Sequence, residues 1–263
     1  MLAKKVIPEE QMTLDFTLPK FRSLCTCVAQ HYPTLTLAEY FQAGKLPPRF
    51  AMMRHDIDRK PMSALLTARV EQELGIRATY YFRMNDTVFR PGIMREIEGM
   101  GHEVGYHYEV LGKANGDNEK AIEMFGRELK EFRKVCDVRT ICMHGNPLSK
   151  HDDRELWKSY DFRNFGIIGE AYLSAGKDVS YFSDTGRSWN SKNNLRDFIP
   201  GRREESAAET TDDLIEIIKS ERFEKLYILT HPERWAAGGI GWAASCLTDM
   251  VFNAGKKILA VAR

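Results

Sequence analysis

The chain has no long apolar run, no excess of either charge and no even set of cysteines, and each absence removes a class of protein. No window reaches the roughly 18–20 apolar residues a bilayer-spanning helix needs, so no membrane partner is expected. Lys and Arg total 38 against 37 Asp and Glu, for a net charge of +1. That balance gives no electrostatic case for a nucleic-acid partner. The five cysteines, Cys25, Cys27, Cys136, Cys142 and Cys246, are odd in number and scattered. They read as reduced thiols in a cytoplasmic setting, not as a disulfide framework. Cys25-Thr26-Cys27 has no second close pair, so helix packing is expected of it instead of a zinc knuckle. Met1-Leu2-Ala3-Lys4-Lys5 runs into Pro8-Glu9-Glu10, so no export signal is read there. Repeats, low-complexity tracts and linkers are also missing.

What remains is a 263-residue chain, 43% hydrophobic and 29% charged, long enough for a substantial core. The simplest organisation is one domain over 1–263, with a helical extension at 1–49, a core at 50–235 and a closing helix and tail at 236–263. Leu18, Phe21, Leu24, Cys25 and Val28 keep helical spacing, and a second short helix is expected from Leu35-Thr36 through Phe41. From Phe50 the chain alternates apolar strands with amphipathic helices. Strands are expected at Phe50–Asp58, Arg77–Met84, His102–Tyr108, Val138–Met143 and Leu226–Leu229, with shorter ones at Phe165–Ile168 and Val179–Phe182. Helices fall between them, including Asn118–Val135, Asp152–Tyr160 and Thr211–Lys219. Repeated strand–helix units favour a parallel sheet with right-handed crossovers. About seven such units imply an α/β fold, a distorted (β/α)7-type barrel with an N-terminal helical extension.

The stretch Arg54-His55-Asp56-Ile57-Asp58 carries the first chemical signal. Asp56 and Asp58 are two apart, so on a strand both carboxylates leave one face. Buried there they require a metal, a cation or a substrate. The competing expectation is that Asp58 caps the helix opening at Arg59-Lys60-Pro61. Asp56, Asp58, His107, Glu109, His144 and His231 all fall at or just beyond the ends of expected strands, the rim that carries the chemistry of β/α barrels. Carboxylates and imidazoles gathered from separate strand ends suit a divalent metal. Such an ion lowers the pKa of its bound water to about 7, with side chains nearby serving as base and acid. Taken singly, His102 and His151 read as structural, and His31 and His55 have no partner visible in the sequence. The polar loop Asp184-Thr185-Gly186-Arg187-Ser188-Trp189-Asn190 is of the kind that lines sites.

Arg54-His55-Asp56-Ile57-Asp58, Gly101-His102-Glu103-Val104-Gly105-Tyr106-His107 and Leu229-Thr230-His231-Pro232 resemble the polysaccharide deacetylase family over roughly residues 50–235. The resemblance is to a divergent branch with His-Asp-x-Asp in place of two adjacent aspartates. It implies metal-dependent removal of acetyl groups from N-acetylated sugars on a distorted β/α barrel. Carried over by motif, it implies Asp58 and His107 as metal ligands, Asp56 as general base and His231 as general acid or its oxyanion neighbour. The Ile57 insertion leaves the roles of Asp56 and Asp58 exchangeable. The family's second metal histidine would fall at Leu111, so the missing ligand is expected from His144, with Glu109 as the alternative. Pro147 sits at the family's third motif, where its arginine is replaced by Met143-His144-Gly145.

The resulting expectation is a metal-dependent amide hydrolase with zinc as cofactor and a small-molecule or saccharide substrate. Arg187, Trp189 and Arg83 are candidate substrate contacts, because guanidinium and indole groups suit hydroxyls and sugar faces. Two alternatives stay open: a non-catalytic saccharide-binding barrel without a complete metal site, and a metal hydrolase of a non-sugar amide.

Overall fold

Strand β2 (Phe50–Ile57) is buried along its whole length and lies between β3 (Thr79–Arg83) and β8 (Lys225–Thr230). A strand covered on both faces should be apolar throughout, yet β2 carries Arg54, His55 and Asp56. The fold gives each a partner. Arg54 and Asp56 pair inside the sheet's curve, with Nε–Oδ1 2.8 Å and Nη2–Oδ2 2.5 Å. His55, on the opposite face, meets Thr230 Oγ1 at 2.6 Å and donates through Nε2 to Glu71 Oε1 at 2.8 Å. Glu71 also accepts from Tyr80 Oη at 2.6 Å, so the charge beneath α3 (Pro61–Glu73) is held from two strands.

The computed structural model describes residues 14–146, 149–189, 196–201, 208–236, 238–239, 241–243, 245–247 and 249–250. Beyond β2, β3 and β8 the sheet comprises β4 (Glu103–Tyr108), β5 (Thr140–Met143), β6 (Gly169–Glu170) and β7 (Ser180–Ser183). The order is β6-β5-β4-β3-β2-β8-β7, and every pairing is parallel. The seven strands curl into a half-barrel flanked by α3, α4 (Pro91–Gly99), α6 (Asn118–Arg133) and α7 (Thr211–Lys219). The curl brings its two ends together through side chains. Tyr227 Oη donates to the Ala171 carbonyl at 3.1 Å, and the rings of Tyr172 and Tyr181 lie 6.4 Å apart.

The N-terminal segment is built into this core. Helix α1 (Leu18–His31) starts at Thr17, whose hydroxyl accepts from Lys20 N, and buries Phe21, Leu24, Cys25 and Val28 against α3 and α7. The short helix expected from Leu35-Thr36 is present but starts two residues later, because Thr34-Leu35 forms the short strand β1, paired parallel with Ala51 and Met52 of β2. Thr36 then caps α2 (Leu37–Gln42) through a box with Glu39. The N–H groups of Leu37 and Ala38 bond Thr79 Oγ1 and Glu103 Oε2, at 2.9 and 2.8 Å, so α2 sits under the N-terminal ends of β3 and β4.

Two expectations in the irregular stretch are corrected. Asp153–Lys158 and Phe162–Phe165 are 3-10 turns, and the strand expected at Phe165–Ile168 is Gly169–Glu170 instead. The left-handed Gly166 ends the second turn and delays pairing by three residues. The closing segment is helical where residues 239–250 are described, and 251–263 lie outside the described residues.

Gly105, within the Gly-His-Glu-Val-Gly string, is needed for space. A Cβ there would come 2.3 Å from the Tyr81 ring, whose Oη is tied to Thr140 Oγ1 at 2.7 Å. Gly105→Ala is therefore expected to destabilise the fold by about 1–3 kcal/mol, measured by urea unfolding. Relieving the same contact with Tyr81→Ala in the Gly105→Ala background should make the two substitutions non-additive.

Candidate metal centre

Three strand ends converge at the C-terminal rim. Asp58 follows β2, His107 lies in β4 and His144 follows β5; one donor atom from each lies within 4.8 Å of the other two. His144 Nδ1 is 3.2 Å from Asp58 Oδ1, and His107 Nε2 is 3.5 Å from the same oxygen. The expectation that Asp58 caps the following helix is corrected, because α3 begins at Pro61 with Lys60 as its cap residue and no side-chain cap bond.

The hydrogen bonds define what the gap between these atoms can accept. His107 Nδ1 lies 3.0 Å from the carbonyl of Cys142. A carbonyl only accepts, so Nδ1 carries a ring proton and Nε2 faces Asp58. Asp58 Oδ1 is itself buried without a hydrogen-bond partner among the described residues. In the neutral ring Nε2 and Oδ1 are two acceptors across 3.5 Å, an arrangement that a cation between them satisfies. Burial raises the Asp58 pKa, but His144 and His107 outweigh it and hold the carboxyl well below its ordinary range. For His107, burial lowers the pKa, yet Asp56 and Asp58 bring it above the ordinary histidine value. A carboxylate and two imidazoles are a donor set for zinc or a similar first-row ion, and these three residues fit such an ion.

A second set, Asp56, His107 and Cys142, also has its donor atoms within 4.8 Å of one another. It suits a metal less well, because the Arg54 guanidinium already grips both Asp56 oxygens. Arg54 is itself fixed by Tyr172 Oη at 2.6 Å and by Tyr227 Oη at 3.3 Å. Burial pushes the Asp56 pKa up, and Arg54 and then His107 bring it below the ordinary aspartate value. Asp56 Oδ2 stands 3.7 Å from His107 Nε2, beside the first set of donors.

His231 closes the rim after β8. Its Nδ1 meets Asp184 Oδ1 at 2.6 Å and its N–H donates to Asp184 Oδ2 at 3.0 Å. Asp184 also receives Arg234 Nη1 at 2.7 Å and Trp235 Nε1 at 3.0 Å. The carboxylate leaves Nε2 as the free nitrogen of the ring. Burial and Arg234 lower the His231 pKa, and Asp184 more than restores it, so the imidazolium persists above its ordinary range.

Asp184 also carries a pH-dependent part of stability. Burial would raise its pKa, but Arg234 and His231 bring it from 3.8 down to about 2. A depressed folded-state value means its contribution is full above the unfolded value and disappears as pH falls through the folded one. Asp184→Asn is thus expected to cost about 2 kcal/mol more at pH 5 than at pH 2. Paired urea titrations at the two pH values read that difference.

Other expected site residues go elsewhere. Glu109 is bound by Arg83, with Nη2–Oε2 2.7 Å, and Lys113 lies 3.4 Å from it. Arg83 Nη1 donates to the Asp58 carbonyl at 3.2 Å, so Arg83 braces the rim from below. Leu111 is buried in the short helix α5 (Val110–Lys113) and brings no donor. Trp189 is not at the rim: it packs against Phe16 and Trp235 and donates Nε1 to Thr211 Oγ1 at 3.0 Å. Arg187 is bound to Asp249 at 3.2 Å and Ser245 at 2.8 Å, behind His231. Pro147 lies outside the described residues. Arg54, Asp184 and Glu233 are rim or near-rim residues that motif matching passed over. Arg54 was findable, because the parity that puts Asp56 and Asp58 on one face puts Arg54 there too.

No sequence-family model matches the chain, and no curated protein matches it by sequence. Solved structures of similar shape are of the CE4 family, the polysaccharide deacetylases. One is a family 4 carbohydrate esterase from Streptomyces lividans in complex with acetate. It is 14% identical, over 79% of this chain and 90% of that one, with a TM-score of 0.42. Another is a CE4 family pseudoenzyme from Bacillus anthracis, 10% identical over 79% of this chain and 61% of that one, TM-score 0.42. A mutant CE4 family pseudoenzyme with restored enzymatic activity is 11% identical over 80% of this chain and 64% of that one, TM-score 0.42. The chain thus spans less than two thirds of the length of these pseudoenzymes. Among the described residues no helix is long and apolar enough to cross a membrane.

Proposed function

We propose that this chain is a metal-dependent hydrolase of carbon–nitrogen amide bonds that deacetylates an N-acetylated sugar or saccharide intermediate. Zinc is the proposed ion, held by Asp58, His107 and His144, and a cytoplasmic setting is the reading its unpaired cysteines support. The observation that carries this is the set of donor atoms from three strand ends within 4.8 Å of one another, with Asp58 Oδ1 otherwise orphaned.

When bound, the ion would polarise the acyl carbonyl and make a water acidic near pH 7. Asp56, kept ionised by Arg54, takes the proton of the attacking water. His231, pinned through Nδ1 by Asp184, presents Nε2 to the leaving nitrogen and gives it a proton. The roles of Asp56 and Asp58 separate on their partners: the one gripped by a guanidinium is the base, the one facing two imidazoles is the ligand. A cleft of about 590 Å³ opens beside the rim between Glu109, Asn115, Asn146, Ser149 and Asp153. Its hydroxyl, amide and carboxylate walls suit a polyhydroxylated substrate.

The test is metal content and acetate release in wild type, His144→Ala and Glu109→Gln side by side. About one equivalent of metal is expected in the wild type and in Glu109→Gln, and none in His144→Ala. A wild type that is empty and refuses added zinc, cobalt or manganese overturns the proposal.

A further inference from the structure

We propose that Glu233 reads the leaving group: its Oε2 accepts a hydrogen bond from the N–H of the scissile amide, making the site selective for N-acyl over O-acyl substrates. This rests on the amide-hydrolase reading above and assigns specificity within it.

Glu233 lies in the 3-10 turn Pro232–Arg234 that directly follows His231. The residue is 4% exposed, with Oε1 held 3.3 Å from Arg59 Nε, and its backbone carbonyl accepts from Ser245 Oγ at 3.1 Å. Oε2 has no hydrogen-bond partner among the described residues. A buried carboxylate oxygen left unpaired is costly, and native proteins keep such atoms where a ligand completes them. The ligand side is set by neighbours. Strands β2 and β8 pair up to His55 beside Thr230, and Asp58 and Glu233 follow just beyond those strand ends. Arg59, the residue after Asp58, makes the contact to Glu233, and the Glu233 carboxyl lies within electrostatic reach of both Asp58 and His231. The orphaned oxygen therefore belongs to the turn that follows the proposed acid and is tied through Arg59 to the residue after the proposed ligand.

The two substrate classes differ at that place. A secondary amide nitrogen carries a hydrogen and donates it; an ester oxygen carries only lone pairs, which oppose those of Oε2. In amide hydrolysis the C–N bond breaks with its electron pair on nitrogen, which takes the proton from His231 Nε2. The carboxylic acid carries the water oxygen away. The amine that leaves has only N–H donors toward Glu233, and gains from a carboxylate beside it. An alkoxide leaving group gains nothing there until it is protonated.

The experiment compares zinc-loaded wild type and Glu233→Gln on a matched pair, the 4-nitrophenyl glycosides of N-acetylglucosamine and of 2-O-acetylglucose, by acetate release. Gln keeps the shape and the acceptor toward Arg59 but turns the inner acceptor into a donor. The amide-to-ester ratio of kcat/KM is expected to fall about 10- to 100-fold. A ratio that does not move, with both activities equally lowered or unchanged, overturns the proposal while leaving the hydrolase reading intact. Wild type that releases acetate from neither glycoside overturns both. If Glu233→Gln does not fold, product inhibition of the wild type decides: the amino sugar glycoside is expected to bind more tightly than the glucoside, and equal binding overturns the proposal.

Discussion

Asp58→Ala is expected to abolish metal binding and to lower kcat/KM on the order of 10³-fold or more, and to destabilise the metal-free protein at neutral pH, because His144 and His107 hold the folded-state carboxyl well below its ordinary range. Both halves have one cause. Asp58 Oδ1 is a buried acceptor without a hydrogen-bond partner among the described residues, facing ring nitrogens of His107 and His144. Without a metal the two rings stabilise the carboxylate, so removing it costs the metal-free fold. With a cation the same arrangement is the binding energy, and ligand binding raises stability with ligand concentration. Zinc should therefore raise the melting temperature of wild type and leave that of Asp58→Ala unmoved. His107→Ala is expected to lose metal and turnover in the same way. Full activity in either variant, or a zinc-induced rise in both, would refute the assignment.

Arg54→Met should be the most damaging substitution outside the proposed ligands, at about 3–5 kcal/mol in the metal-free protein. Arg54 is fully buried, lies 2.5 Å from Asp56 Oδ2, and stacks on Tyr172 with its guanidinium carbon 4.2 Å from the ring centroid. Replacing it by an apolar side chain of similar length leaves Asp56 charged and uncompensated in the centre of the sheet's curve. Adding Asp56→Asn should recover most of the loss, because a neutral amide demands far less than an orphaned carboxylate. The single variant is also expected to be inactive, since the proposed base loses the cation that keeps it ionised. Equilibrium unfolding of the two single variants and the double variant measures the coupling directly. Additive losses would mean that the pair is a surface-like contact of little worth, contrary to its burial.

Most of the sheet was legible because its strands carry short apolar runs bounded by turn residues, Phe50–Met53 and Leu226–Leu229 among them. Both runs lie in buried strands, Phe50–Ile57 and Lys225–Thr230, that pair side by side. Thr211–Lys219 likewise matched its pattern, with an acidic start and a capping box. The short strands did not announce themselves. Thr34-Leu35 and Gly169-Glu170 are two residues each, and their conformation comes from edges of β2 and β5 that a local window does not contain. Trp189 read as a site residue because its loop is polar, whereas its indole completes an aromatic cluster with Phe16 and Trp235.

The sequence by itself determined which strand ends carry ligand-capable groups, because parity and the C-terminal rim follow from backbone geometry alone. It also contained the motif strings behind the resemblance. Which of those groups meet was decided only by the tertiary structure. His144 was the preferred candidate in one dimension and Glu109 the alternative; the curl of the sheet brings His144 to Asp58 and gives Glu109 to Arg83. The roles of Asp56 and Asp58 were likewise interchangeable on paper, until burial placed a guanidinium beside one and two imidazoles beside the other. The physical reason is that a carboxylate's chemistry is set by the charges within a few ångströms of it: Arg54 on its own strand for Asp56, and His107 and His144 from two other strand ends for Asp58.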